Sequence, residues 1–335
     1  MKITIRDVAR EAGVSISTVS YALNKVGEIT KPTHKRVFEA AERLGYVPDP
    51  TARSLVMGTT NSIGVVIPPD STFNFNNPYT LQMLSSLSRL LSDMNYWMSV
   101  SMPRSVEENS IKHFLVNSKI DGLIWLESDL PEYVKKLMLQ RALPYVDIGY
   151  GKNEKSTILV EDYEGIKHAV DYLNNLGHER ILFVSGDANE DSNSRSWAYN
   201  ERMKELELPY HKVLAGEFSE KITYNVILDF FGKCNKESLP TAILAASDLM
   251  AIGVLKALDK LSIKVPERMS VMGFDDIPEA SDTNPSLTTM KQPIDFMMKT
   301  ACDHLFGSIK GKEVPSNYRI YTSVIVRKST GPISK

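Results

Sequence analysis

Two groups of side chains have the types and spacing to do chemistry. Ser17, Thr18, Ser20, Tyr21 and Asn24 put hydroxyls and an amide at helical intervals. Such groups bond base edges when a helix enters a DNA groove. Far along the chain, Arg195, Asp275, Asp276, Ser247 and Asp248 offer a guanidinium fork, carboxylates and a hydroxyl, suited to paired hydroxyls on a ligand. Catalytic patterns are missing. The sequence has no Gly-x-x-x-x-Gly-Lys phosphate loop, no His-Glu-x-x-His, no Gly-x-Ser-x-Gly and no Cys-x-x-Cys. His34, His113, His168, His178, His211 and His304 are scattered without metal-ligand spacing. His178 ends a predicted helix, where histidines cap carbonyls. The residues therefore predict binding without catalysis, metal or cofactor.

The elements that must position these groups begin with a short helical head. Ile5, Val8, Ala9 and Ala12 fall on one stripe of a helix, and Gly13 follows as a sharp turn. Ser15 or Ser17 caps a second helix from 16 to about 24, with Val19, Ala22 and Leu23 inward. Thr30 caps a third, with Pro32 in its first turn and Gly45 at its end. Three helices with a glycine turn between the first two form a helix-turn-helix. Residues 1–60 carry a formal charge of +3, from nine Lys and Arg against six Asp and Glu, within a chain of −2 overall. The remaining residues therefore carry −5. A basic head on an acidic body points to a polyanion partner.

At 335 residues, 42% hydrophobic and 24% charged, the chain holds more than one globular domain and excludes a disordered or disulfide-stapled build. Two cysteines, Cys234 and Cys302, fit a reducing compartment. No apolar run approaches a membrane span, and residues 1–13 lack a signal-peptide core. A cytoplasmic protein is expected.

The run from Ile3 to Ser15, with Ser17-Thr18-Val19-Ser20, Leu23-Asn24, Leu44-Gly45-Tyr46-Val47-Pro48 and Ala52-Arg53-Ser54-Leu55, resembles the LacI/GalR family of bacterial transcription repressors. The resemblance implies a helix-turn-helix DNA-binding domain over 1–48, a hinge helix and linker over 49–60, and an effector-binding and dimerisation domain over 61–335. It implies DNA contacts from Thr4, Ser15, Ile16, Ser17, Thr18, Ser20, Tyr21, Asn24, Thr30, Thr33 and Tyr46, and from Ala52, Arg53 and Leu55 in the hinge. Leu55 would wedge into the minor groove. The hinge segment is too short to be helical alone, so its folding would be coupled to dimerisation and DNA. Tyr21 stands where many relatives have Arg, which implies different outer operator bases.

Beyond residue 60, strand-like runs at 62–68, 97–101, 122–126, 145–148, 180–185, 242–246 and 271–274 alternate with helical stretches at 79–95, 107–117, 131–140, 164–176, from about 196, and 248–260. This is the pattern of parallel sheets covered on both faces. The resemblance implies a two-lobed α/β effector domain of periplasmic-binding-protein type. Lobe one would span about 61–160 and 291–320, and lobe two about 161–290 and 321–335. Ligands bind beyond the carboxyl ends of such strands, which places Phe73, Asn77, Glu127, Tyr150, Arg195, Ser247, Asp275 and Gln292 as candidates. Arg195-Ser196-Trp197-Ala198-Tyr199 is similar to the family's Arg-x-x-Gly-Tyr pattern, with Ala198 for the common Gly, and Gly273-Phe274-Asp275-Asp276 to a second effector segment.

A homodimer on a palindromic operator is expected, without the trailing heptad helix of tetrameric relatives. A sugar is the expected effector, and the loop 69–78 resembles that of maltose-sensing relatives. A purine co-repressor stacked on Phe73 or Phe75, a phosphorylated carrier protein as co-effector, and a sugar receptor with a vestigial head are the alternatives.

Overall fold

The computed structural model describes residues 3–24, 28–48, 58–68, 75–103, 108–126, 130–149, 157–186, 194–210, 212–234, 239–315 and 317–333. The head holds helices α1 (Ile5–Ala12), α2 (Ile16–Asn24) and α3 (Lys31–Leu44). Its core is Val8, Ala9, Ala12, Val19, Ala22, Val37, Ala40 and Ala41. These small side chains let three helices cross closely. Gly13 and Gly45 close α1 and α3 at φ of 64° and 63°, a left-handed conformation that costs a Cβ-bearing residue about 1–2 kcal/mol.

Two six-stranded sheets make up the body. The first contains β1 (Ser62–Val66), β2 (Trp97–Ser101), β3 (Gly122–Leu126), β4 (Tyr145–Ile148), β5 (Thr157–Val160) and β11 (Asn317–Ile320), in the order β11-β5-β4-β3-β1-β2. The second contains β6 (Ile181–Ser185), β7 (Lys212–Ala215), β8 (Ala242–Ala245), β9 (Ser270–Asp275), β10 (Thr288–Lys291) and β12 (Ser323–Ile325), in the order β12-β10-β9-β8-β6-β7. All pairings are parallel except β10 with β12. The chain passes between sheets after Val160, Lys291 and Ile320. Three connections thus run side by side and form the joint about which two lobes can move.

Helices α4 (Pro78–Asp93), α5 (Glu108–Asn117), α6 (Glu132–Gln140) and α12 (Ile294–Ile309) belong with the first sheet. With the second belong α7 (Asp162–Asn175), α8 (Ser194–Glu205), α9 (Glu220–Lys233), α10 (Asp248–Lys260) and the short α11 (Glu279–Asp282). One apolar cluster runs through both lobes, and a second, around Trp125, fills the far side of the first sheet. Among the described residues, no helix is long and apolar enough to cross a membrane.

The strand alternation anticipates most of this, with corrections. β5, β7, α9, α12 and β11 go beyond the elements read from sequence, α7 begins at Asp162, and α8 at Ser194. β7 and β11 are edge strands with exposed and half-buried positions, so they lack the apolar run of a central strand. His178 is a correction too. Its ring Nδ1 meets Thr241 Oγ1 at 3.0 Å, and Nε2 meets Ser270 Oγ at 2.9 Å and the Gly331 carbonyl at 3.0 Å. It fastens the C-terminal segment instead of capping α7.

Candidate functional site

In the second lobe, parallel strands aim their carboxyl ends at a common edge. Ser247 N-caps α10, its hydroxyl accepting from Met250 N at 3.3 Å. Asp248 follows in the first helical turn, fully buried, with Oδ2 accepting from Ile277 N at 2.9 Å and Oδ1 from the Thr289 hydroxyl. Gly273 makes this possible, because a Cβ there would lie 2.1 Å from Asp248 Oδ1. β9 ends at Asp275, and Asp275 and the following Asp276 have φ of 123° and 64°, two successive non-glycine residues in strained backbone.

Arg195 stands on the first turn of α8, nearly buried. Its Nε donates to Asp162 Oδ2 at 2.8 Å and its Nη2 lies 2.6 Å from the same oxygen. Nη1 donates to the Ala246 carbonyl and lies 3.8 Å from Asp275 Oδ1. The guanidinium stacks 4.1 Å above the Phe274 ring. Asp162 is thus a partner that the sequence reading missed, since it sits at the start of a helix that the reading began two residues late. Burial drives the Asp275 carboxyl up to about 7, against the lowering effect of Arg195 and of the Gln292 amide. Burial and the neighbouring Asp275 also raise Asp248 well above the usual carboxylate range.

Two hydrogen bonds tie the lobes across this edge. Tyr79 Oη, on α4, donates to Gln292 Oε1 at 2.7 Å, and Gln292 Nε2 donates to Asp275 Oδ1 at 2.7 Å. Asn77 caps α4 by accepting from Tyr79 N at 3.0 Å. Asn77, Tyr79, Arg195, Phe218, Ser247, Leu249, Asp275 and Ile277 line a cavity of about 10 Å³, room for at most one water. A larger ligand requires the lobes to part. Phe218 also went unread in the sequence. Its ring lies so close to Gly186 that a Cβ there would approach to 1.9 Å, and its φ is 47°. The signal was the glycine ending the β6 strand, legible only once β7 and its turn are placed beside it.

Five of the eight ligand candidates therefore meet: Asn77, Arg195, Ser247, Asp275 and Gln292. Phe73, Glu127 and Tyr150 lie outside the described residues. Asp276 points elsewhere, to Arg327 at 2.6 Å and Lys291 at 3.5 Å. A separate groove of about 470 Å³ lies on the other side of Gln292, between α4 and the start of α12. Asp276, grouped by the sequence reading with the ligand-binding carboxylates, lines this groove instead. Among the described residues, no group of three His, Cys, Asp or Glu is placed to hold a metal.

In the head, two predicted DNA contacts, Thr4 and Ser15, double as caps. Thr4 and Asp7 form a capping box, with Thr4 Oγ1 donating to Asp7 Oδ2 at 2.7 Å. Ser15 Oγ accepts from Thr18 N at 3.1 Å, so Ser15, not Ser17, caps α2. Thr30 bonds the Thr33 hydroxyl at 3.0 Å and makes no side-chain cap on α3. Ile16, Ser17 and Tyr21 are exposed on the outer face of α2, with Ser20 and Asn24 half-buried beside them. Tyr46 packs against the head core. Ala52, Arg53 and Leu55 lie outside the described residues.

A helix-turn-helix head joined to a two-lobed, cleft-bearing body defines a DNA-binding protein that answers to a small ligand. Known proteins agree. The model of bacterial regulatory proteins of the lacI family matches residues 4–49, and that of the periplasmic binding protein-like domain matches 170–330. The chain is 30% identical over 336 residues to the HTH-type transcriptional repressor PurR of Histophilus somni (strain 2336), covering 97% of this chain and 98% of that one. It is 29% identical over 341 residues to PurR of Haemophilus influenzae (strain PittEE), covering 98% and 99%. Among solved structures, the lac repressor dimer bound to operator and the anti-inducer ONPF superposes with a TM-score of 0.87 at 24% identity, over 99% of this chain and 100% of that one. The transcriptional regulator CelR–cellobiose complex gives 0.70 at 24%, over 98% and 99%. This chain belongs to the LacI family of bacterial transcriptional repressors. Its relatives are repressors and not enzymes.

Proposed function

We propose that this repressor is released from its operator by a sugar bound between the lobes. The observation that carries this reading is the convergence of Arg195 and Asp275, 3.8 Å apart at the cleft edge, with Asn77 and Ser247 beside them and the Phe218 ring over the same cavity. Fork, carboxylate, amide and hydroxyl suit adjacent hydroxyls, and an aromatic wall suits the C–H face of a pyranose. The Tyr79–Gln292–Asp275 bridge gives such a ligand leverage, because a hydroxyl that takes Asp275 competes with the amide linking the lobes. Ligand energy is then spent on lobe position, and a two-state joint passes it to the hinge.

In this reading α2 enters the major groove with Ser17, Ser20, Tyr21 and Asn24 toward bases. The N-termini of α1, α2 and α3, dressed by Thr4, Ser15, Thr18, Thr30 and Thr33, meet phosphates. Tyr46 supports the head beside the backbone, and Ala52, Arg53 and Leu55 work in the minor groove. Two copies bind one palindromic operator in the cytoplasm. Exposed Leu81 on α4 and Trp97 on the edge strand β2 make that side of lobe one the surface for the second copy.

The relatives named PurR favour a second reading, a purine-type co-repressor that tightens operator binding. Thermal unfolding against mono- and disaccharides and purines, with Arg195→Ala alongside, decides between them. A true ligand at 100 times its Kd adds about 2.7 kcal/mol. A midpoint raised by a sugar and lost in Arg195→Ala supports the sugar reading. A rise with a purine alone replaces it with the second.

A further inference from the structure

We propose that the effector is a carbohydrate of at least two rings, and that Trp197 with Tyr163 forms the platform that takes its second pyranose ring at the rim of the cleft. This rests on the cleft being the sugar site. Two pairs of side chains join the first turns of α7 and α8. Arg195 and Asp162 make one, 2.6 Å apart and buried at the cleft edge. Tyr163, next after Asp162, and Trp197, two residues beyond Arg195, make the other, with ring centroids 5.4 Å apart and planes at 42°. The first pair is closed to water. The second is open, and Trp197 is 61% exposed.

The fold sets the level of this second pair. Helices that follow parallel strands start at the carboxyl edge of the sheet, where the cleft lies. α8 follows β6 and begins at Ser194, and α7 begins at Asp162, straight after the chain has crossed from the first lobe. Trp197 and Tyr163 therefore stand at the height of the cleft, on its α7–α8 flank, beside the guanidinium that a first ring would meet. One turn further on, Lys167 and Glu201 share their helix faces, each at i+4. Lys167 Nζ lies 3.1 Å from Glu201 Oε2, 2.7 Å from Glu205 Oε1 and 5.3 Å from the centre of the Tyr163 ring. Arg202 ties the same two helices through Asp171 at 2.7 Å. These pairs hold α7 and α8 in register, so the platform exists before a ligand arrives and little ordering entropy is lost on binding.

An indole left in water contributes little to folding, because burial is what makes it stabilising. Its flat face suits the C–H side of a pyranose, and the hydroxyls around that ring then meet the carboxylate of Glu201 and the ammonium of Lys167. Full-length wild type, Trp197→Ala, Trp197→Phe and Arg195→Ala are titrated calorimetrically with matched probes: glucose with maltose and cellobiose, galactose with lactose, and adenosine. One disaccharide is expected to bind wild type about tenfold or more tightly than its own monosaccharide, the scale of one covered ring face. That advantage disappears in Trp197→Ala and is largely kept in Trp197→Phe. The tryptophan emission that distinguishes wild type from Trp197→Phe moves to shorter wavelength with the disaccharide and stays in place with the monosaccharide.

A disaccharide advantage that persists in Trp197→Ala overturns the platform, as does a monosaccharide bound as tightly as any disaccharide; the cleft reading then survives. Sugar binding that persists in Arg195→Ala places the effector elsewhere, and it is the cleft reading that falls, with the platform. No sugar bound by wild type, with or without adenosine in its place, overturns the sugar reading and the platform together.

Discussion

Arg195 shows how one side chain serves fold and recognition together. It is held by Asp162, by the Ala246 carbonyl and by the Phe274 ring, which fixes the guanidinium beside Asp275. Arg195→Ala removes one partner of a buried pair and is expected to cost about 3–5 kcal/mol, because the buried Asp162 loses its guanidinium. Denaturant unfolding of the two proteins checks this. His178 carries a pH prediction. Burial beside Thr241 and Ser270 lowers its pKa, against the raising effect of the bond to the Gly331 carbonyl. The folded protein therefore refuses a proton that the unfolded chain accepts near its usual value of about 6.5. Stability from this group is full above that value and is lost as pH falls below it. The stability difference between wild type and His178→Gln should shrink from pH 7.5 to pH 5.5; a difference that does not change would deny the ring its buried, neutral role.

At the scale of the element, the turn between α1 and α2 sets the angle between those two helices. Gly13 has open space about it but a φ of 64°, so Gly13→Ala meets no clash and pays only for backbone strain, about 1–2 kcal/mol. Melting of the head should drop accordingly, with the sugar response of the body unchanged. The hinge bears the second element-scale prediction. If Leu55 is the minor-groove wedge, Leu55→Ala weakens operator binding about tenfold or more, on the order of 1.4 kcal/mol, and leaves ligand affinity alone.

Much of this level was readable in the sequence. The stripe of Val8, Ala9 and Ala12 before Gly13, and the apolar runs of β1, β3, β6 and β8, each declare their own element. What stayed hidden depends on pairing across distance. Asp162 finds Arg195 over 33 residues and Tyr79 finds Gln292 over 213. Phe218 enters the cavity only because Gly186 leaves it room. Local pattern holds no trace of such meetings.

At the scale of the molecule, the two sheets share three adjacent connections and one bridge, Tyr79–Gln292–Asp275, across a cleft that is nearly filled. The proposed dimer face on α4 and β2 belongs to the same lobe as Tyr79, so a change at the bridge is passed to the helix that faces the second copy. Gln292→Ala cuts the bridge without touching Arg195. It should make the operator affinity of the free protein resemble that of the liganded one, a shift seen by titrating labelled duplex with the variant.

The most direct measurement is the affinity of the full-length protein for a duplex that it selects itself from random DNA, followed by fluorescence anisotropy at fixed salt, with and without the sugar that raises its melting point. The account predicts weaker binding by wild type in the presence of sugar, and Arg195→Ala that still binds the duplex but ignores the sugar. Tighter binding with sugar, or a response that survives in Arg195→Ala, would contradict it.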